Sequence, residues 1–199
     1  PNNNMERNPL YPIFLKADQL DILIVGGGYV ALEKLTFLFK SSPNAAVGVV
    51  SIDYIQEVQE IIDIKGCNHS VRPYHPSDLN GRMIVIGATN DEEVNKQIYH
   101  DCKYRNILVN IADNPPLCDF YMGGIVTKGN LKIGISTNGT SPTMAKRLRQ
   151  FFESFIPDDI NILLDNVNDY RKTLKDDFDY KVEQLNKLTE SMLKHSDSK

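Results

Sequence analysis

Short, unbroken apolar runs alternate along the chain with longer stretches in which apolar residues recur every three or four positions. Residues 21–25 (Asp-Ile-Leu-Ile-Val) are a run of the first kind, and a run with no polar face predicts a strand buried on both sides. It leads directly into Gly26-Gly27-Gly28, after which Val30, Ala31, Leu35, Leu38 and Phe39 keep helical spacing as far as Lys40. Ser41-Ser42-Pro43-Asn44 breaks that helix, and a second apolar run fills 45–50 before Ser51-Ile52-Asp53. A strand, a glycine turn, a helix and a strand thus fit into some thirty residues.

The next segments repeat the theme. Residues 54–64 predict a helix, 70–74 a short strand, and His75-Pro76-Ser77 a loop. Residues 83–87 predict another buried strand, ending in Ala88-Thr89-Asn90. Asp91 is placed to cap a helix whose first turn carries Glu92 and Glu93 and whose apolar stripe is Val94, Ile98 and Cys102. Residues 107–111 form a further strand running into Ala112-Asp113-Asn114-Pro115-Pro116. Strands alternating with helices of this length imply a parallel sheet covered on both faces, an α/β Rossmann-like domain expected over residues 1–113.

After Pro116 the pattern changes. Residues 124–128 and 131–136 flank Gly129-Asn130, the signature of an antiparallel hairpin. Ser141 then stands as N-cap and Pro142 at the first position of a helix carrying Ala145, Leu148, Phe151, Phe152 and Phe155. This hairpin and helix define a small α+β module over 114–150. From Asp158 on, apolar residues at 163, 167, 170, 174, 178, 182, 185, 188 and 192 step by three and four. They predict one long or two shorter amphipathic helices in a helical C-terminal region, 151–199, ending in a polar tail.

Composition narrows the classes of function. With 41% hydrophobic and 24% charged residues over 199 positions, the chain has the makings of a folded core rather than a disordered tract. No apolar run approaches the length of a membrane span, residues 1–8 are polar with no secretory pattern, and the net charge of −4 disfavours nucleic acid as the partner. Cys67, Cys102 and Cys118 are odd in number and widely spaced, which argues against a disulfide framework or zinc site and for a reducing cytoplasm. His100 and Cys102, two apart on a helix, point to different faces and make no metal pair.

The strongest chemical signal is G-x-G-x-x-A at residues 26–31, between a buried strand and a helix. Gly26 permits the tight turn, Gly28 lets backbone approach a pyrophosphate, and Ala31 allows close helix–strand contact, while the helix N-terminus offers free N–H groups to phosphates at Tyr29 and Val30. Ser51, Ile52 and Asp53 end the second strand. Asp53 either accepts from a ribose hydroxyl or caps the next helix, and no arginine follows it at once to meet a 2′-phosphate, which favours NAD over NADP. Thr89 and Asn90 line the same cleft or cap a helix. Asp113, past a strand's carboxyl end, is either a general base or a turn residue. The hydroxyl-rich turn holding Thr137, Asn138, Thr140 and Ser141, with Lys146 beyond it, suits carboxylates but is equally a helix cap.

Taken together these segments resemble the precorrin-2 dehydrogenase / sirohydrochlorin ferrochelatase family of sirohaem biosynthesis. The resemblance spans residues 11–160. It rests on Tyr11-Pro12-Ile13-Phe14, on 25–31 with Glu33 and Lys34, on 88–91 with Val94 and Asn95, on 109–113, and on 135–142. It implies NAD⁺-dependent oxidation of precorrin-2 to sirohydrochlorin and, in bifunctional members, insertion of Fe²⁺ as substrate. It also implies a homodimer interlocked through the hairpin-and-helix segments. Asp113 matches the family aspartate assigned as base and proton acceptor. Gly26, Gly28, Tyr29, Val30, Ile52 and Asp53 match its cofactor-binding stretches, and Thr137 stands where some relatives have a serine near the tetrapyrrole. Lys128, Lys132, Lys146, Arg147 and Arg149 give a polycarboxylate substrate a basic region to meet. No metal-binding cage is needed, since iron ends in the tetrapyrrole. The methyltransferase domain of fused relatives has no room here, so a separate enzyme is expected to supply precorrin-2. The alternative of another class is an NAD-binding redox sensor without turnover, which would need neither Asp113 nor the 136–142 turn.

Overall fold

A computed structural model describes residues 8–174 and 178–190. Its first four-residue strand, β1 (Ile22–Val25), is buried along its whole length. Ile22 and Ile24 enter one apolar cluster while Leu23 and Val25 enter another. That two-sided burial is why the run carries no polar alternation. β2 (Val47–Ser51), β3 (Asn68–Val71), β4 (Ile84–Gly87) and β5 (Leu108–Ile111) complete a sheet of order β3-β2-β1-β4-β5. Every pairing is parallel, with Ile22 in register with Val47 on one side and Ile84 on the other.

Helices cover both faces. α1 (Tyr29–Ser41) and α2 (Gln56–Lys65) place Ala31, Leu35, Val58 and Ile62 against Ile22, Ile24, Val49 and Ile86. α3 (Glu92–Tyr104) places Ile98 and Cys102 against Leu23, Val85, Val109 and Ile111. Asp91 caps α3, its carboxylate accepting from the N–H groups of Glu93 and Val94 at 2.9 and 3.1 Å. The chain leaves β1 toward β2 and β3, then crosses back to β4 on the far side of β1. The loops leaving β1 and β4 therefore diverge, and a crevice opens between them at the carboxyl edge of the sheet.

β3 differs from the expected 70–74. It is one of the two outer strands, with Asn68, His69 and Val71 exposed, so no apolar alternation marks its position. The expected loop after it holds a short 3-10 helix, Pro76–Leu79, closed by a reciprocal cap between His75 and Asp78. The first compact unit runs Pro9–Met122 and so includes the 3-10 turn Pro115–Leu117 and the bridge between Asn110 and Cys118.

The second unit begins at Gly123. β6 (Gly124–Lys128) and β7 (Leu131–Ile135) form the antiparallel hairpin, with Gly129 at φ +54° in its turn. α4 (Pro142–Phe155) starts as anticipated, with the Ser141 hydroxyl accepting from the Met144 N–H at 3.2 Å. α5 (Ile160–Thr173) and α6 (Phe178–Thr189) resolve the C-terminal pattern into two helices. The expected polar tail lies outside the described residues. Among the described residues of this unit only Val126 is buried. No helix of the described residues is long and apolar enough to cross a membrane.

Candidate functional site

The three consecutive glycines are required for three different reasons. Gly26 has φ +135°, and a Cβ there would lie 2.2 Å from the Ala88 carbonyl oxygen. At Gly27 a Cβ would lie 1.9 Å from the Asp53 carbonyl oxygen, and the Gly27 carbonyl accepts from the Ile55 N–H at 2.9 Å. Gly28 has ordinary backbone angles and open space where a side chain would stand. It is the N-cap of α1, no side chain caps that helix, and Ala31 behind it is fully buried. The first turn therefore presents free N–H groups beside a position kept clear of side chain, the arrangement an anionic diphosphate needs. The middle glycine, treated in the motif as a free position, is the one packed hardest against a neighbouring loop.

A cleft of about 660 Å³ opens over this turn at the carboxyl edge of the sheet. All the expected cofactor residues line it: Gly26, Gly28, Tyr29, Val30, Ser51, Ile52, Asp53, Thr89 and Asn90. Tyr29 and Ile52 stand exposed at its rim. α2 begins with Ile55 as its N-cap, so Asp53 does not cap that helix. Among the described residues no group pairs with its exposed carboxylate, which is left to accept from a ligand. The Thr89 hydroxyl lies 2.8 Å from Asn95 Oδ1 and accepts from the Asp91 N–H at 3.2 Å, so Thr89 both lines the cleft and braces the start of α3.

Among the further lining residues, Arg72, Pro73 and Tyr74 come from a segment that the motif does not reach. No arginine follows Asp53 at once in the sequence, yet the sheet delivers one from further on, because the Arg72 N–H donates to the Ser51 carbonyl at 2.7 Å. The Arg72 guanidinium donates from Nη1 to Asp78 Oδ2 at 2.9 Å and from Nη2 to Asp78 Oδ1. That pairing holds the Asp78 carboxyl below the usual carboxylate range. The Tyr74 hydroxyl donates to Asp101 on α3 at 3.0 Å; burial, then the Asp101 carboxylate, push its ionisation upward. The signal that finds this trio is topological: it follows the strand beside β2, so it ends at the same sheet edge.

Asp113 follows β5, exposed, at φ +58°. It is not among the residues lining the 660 Å³ cleft. Its loop is stitched at the base: Asn110 Nδ2 donates to the Phe120 carbonyl at 2.8 Å, Cys118 Sγ lies 3.2 Å from the Ile111 carbonyl, and the Asp119 carboxylate accepts from the Val109 N–H at 3.1 Å.

In the second unit the 136–142 turn is locally satisfied. The Thr137 hydroxyl lies 3.2 Å from the Ser141 carbonyl and accepts from the Ser141 N–H at 3.3 Å; the Thr140 N–H donates to the Thr137 carbonyl at 3.0 Å. Asn138 takes φ +52°, its N–H donating to Ser136 Oγ at 3.2 Å. Of the basic residues, Lys128 pairs with Asp158 and Arg149 with Glu153, and Arg147 donates to Gln150. Lys146 is exposed with no partner among the described residues. These surface pairs cost little to exchange for a ligand carboxylate.

The cysteines offer no reactive thiolate. All three are free, and burial pushes Cys102 up to about 12 and raises Cys67 and Cys118 as well. Among the described residues no cluster of three or more His, Cys, Asp or Glu side chains is placed to hold a metal ion.

A parallel sheet of this order, with an open glycine turn and a lone carboxylate at the next strand's end, defines a dinucleotide-binding domain of Rossmann type. Residues 13–124, more than half of the chain, match the family model described as "Putative NAD(P)-binding", and the chain belongs to that family. Residues 128–154 match the model described as sirohaem biosynthesis protein central. The chain is similar to the sirohaem synthase of Pseudoalteromonas atlantica, 37% identical over 165 residues, which cover 83% of this chain and 35% of that protein. It is also similar to the sirohaem synthase of a Psychrobacter species, 36% identical over 83% of this chain and 34% of that one. The chain thus spans about a third of the length of these relatives. Among solved structures it shares the fold of SirC, precorrin-2 dehydrogenase, with a TM-score of 0.73 and 24% identity over 90% of this chain and 89% of that one.

Proposed function

We propose that this chain oxidises precorrin-2 to sirohydrochlorin with NAD⁺, and that it also accepts Fe²⁺ as a substrate to be inserted into the product. One observation carries the reading. A single chain joins an open dinucleotide cleft to a segment matched by the sirohaem central model. The printed names of the sirohaem synthase relatives and of SirC agree with it.

The cleft fits the cofactor. Space over Gly28, the uncapped amides of α1 and the unpaired Asp53 carboxylate match a diphosphate followed by a ribose hydroxyl. When bound, the nicotinamide supplies the hydride acceptor. The protein's part is to seat the diphosphate on the α1 amides, to accept the ribose hydroxyl at Asp53, and to take up the proton released from the macrocycle at the Asp113 carboxylate. During metal insertion the same carboxylate takes the two pyrrole protons in turn, passing the first to water before it accepts the second. Thr137, Asn138, Thr140, Ser141 and Lys146 meet the substrate's carboxylates by hydroxyl, amide and ammonium donation.

The second unit points to a homodimer. Met144, Leu148, Phe151 and Phe155 form an exposed apolar stripe along α4, and the unit buries only Val126 among its described residues. A second copy of the chain covers that stripe. The three free thiols suit a reducing cytoplasm.

The decisive experiment mixes precorrin-2 and NAD⁺ with the protein under anaerobic conditions and follows NADH absorbance. NADH formed faster than without protein supports the reading. Binding of NAD⁺ with no turnover returns the chain to the sensor class. Sirohydrochlorin with Fe²⁺ and no NAD⁺ isolates the second step, which fails if insertion is no faster than the uncatalysed rate.

A further inference from the structure

Asp53 and Arg72 face the same cleft with opposite charges, yet their situations differ. The Asp53 carboxylate has no partner among the described residues, whereas the Arg72 guanidinium is occupied on two nitrogens by one carboxylate. Asp78 makes that commitment from a fixed position. Its side chain is only 7% exposed, and Oδ2 also accepts from the His75 N–H at 2.9 Å within the reciprocal cap of the 3-10 helix. A third bond ties the guanidinium to the Pro73 carbonyl at 3.1 Å.

We propose that Asp78 sets the dinucleotide selectivity of the cleft, by holding Arg72 as a charge-neutral pair so that the free carboxylate of Asp53 alone decides which ribose is accepted. The inference rests on the cleft's being the dinucleotide site. An arginine near the second strand's end is the usual partner of a 2′-phosphate, and a carboxylate there the usual partner of a 2′-hydroxyl. The cleft contains both, so charge at the ribose end is settled by whether the arginine is free. Paired through two N–H···O bonds, it brings no net positive charge to offset the repulsion between Asp53 and a 2′-phosphate. Asp78 is therefore a positioning residue: it touches no ligand and acts through Arg72.

The test is calorimetric titration of the full chain with NAD⁺ and, separately, NADP⁺, which reads binding without turnover. The wild type binds NAD⁺ more tightly. Asp78→Asn keeps the shape and the His75 contact but removes the counter-charge. It raises NADP⁺ affinity by about tenfold, the scale of one charge-assisted contact, while NAD⁺ affinity stays within about twofold. Adding Arg72→Gln to Asp78→Asn abolishes the gain. An unchanged NADP⁺/NAD⁺ ratio in Asp78→Asn, or a gain that survives loss of Arg72, overturns the proposal. Asp53→Asn keeps the proposal open to test even if the Asp78 variant does not fold. With Arg72 neutralised by Asp78, loss of the Asp53 charge raises the NADP⁺/NAD⁺ ratio, and an unchanged ratio overturns the proposal. A wild type that binds neither dinucleotide removes the cofactor reading itself, an outcome distinct from all of these.

Discussion

The side-chain amide of Asn110 donates to the carbonyl of Phe120 at 2.8 Å and reaches Cys118 Sγ at 3.4 Å, closing the loop that carries Asp113. Asn110 is one of two buried polar residues of the described chain, and its side-chain bonds reinforce the isolated backbone bridge that it makes with Cys118 on the outer side of β5. Asn110→Ala leaves the Phe120 carbonyl without its donor in a partly buried setting and is expected to cost about 1–3 kcal/mol in denaturant unfolding. A cost near zero shows that water substitutes freely at that point.

The glycine turn separates folding from binding. Gly26→Ala, forced against the Ala88 carbonyl at positive φ, is expected to destabilise the fold. A Cβ at Gly28 has nothing within 4 Å, so Gly28→Val is expected to leave the fold intact while weakening NAD⁺ by about tenfold or more, its branched side chain occupying the proposed diphosphate seat. Thermal melts beside calorimetry check both, and intact NAD⁺ affinity in Gly28→Val sinks the placement of the diphosphate.

For Asp113 the informative replacement is asparagine, which tolerates the left-handed backbone at this position and removes only the charge. Turnover of precorrin-2 is expected to fall by about 10²–10⁴ with NAD⁺ affinity unchanged. Full turnover in Asp113→Asn rejects the base assignment.

Asp78 gives the fold an acid-sensitive contribution. Its folded-state ionisation lies below the unfolded value because of the Arg72 pair, so its stabilisation is fully present above the ordinary carboxylate value of about 4 and drains away as pH falls through the folded one. Wild type and Asp78→Asn are expected to differ in stability at neutral pH and to converge in acid. Denaturant titrations across the acid range check this, and a difference that grows with acidity contradicts it.

Phe151→Glu places a charge in the middle of the α4 stripe. Sedimentation is expected to show a shift from dimer to monomer with the first unit still folded. A dimer unaffected by the change puts the contact elsewhere.

The sheet was legible because burial on both faces leaves unbroken apolar runs: Ile22–Val25 and Ile84–Gly87 fall where the pattern puts them. β3 was legible only approximately, since an outer strand built from Asn68, His69, Ser70 and Val71 has no apolar face to announce it. The cleft divides the same way. Gly26, Gly28 and Asp53 follow from a local motif whose spacing encodes the strand–turn–helix geometry. Arg72 and Tyr74 are some twenty residues away from Asp53 in sequence and reach it only through the lateral order of strands. Gly27 was passed over for a related reason: the atom it must avoid, the Asp53 carbonyl oxygen, belongs to a different loop.

That close approach between Gly27 and the Asp53 loop has a mechanical consequence. With the Ile55 amide anchored on the Gly27 carbonyl and Tyr54 tethered to the Ser70 carbonyl at 2.8 Å, the segments after β1 and β2 form one stiff bracket. On the proposed function, an adenylate fragment would dock into a ready-made mould, with little entropy lost in shaping it, and the half of the dinucleotide that does no chemistry would anchor the reactive half.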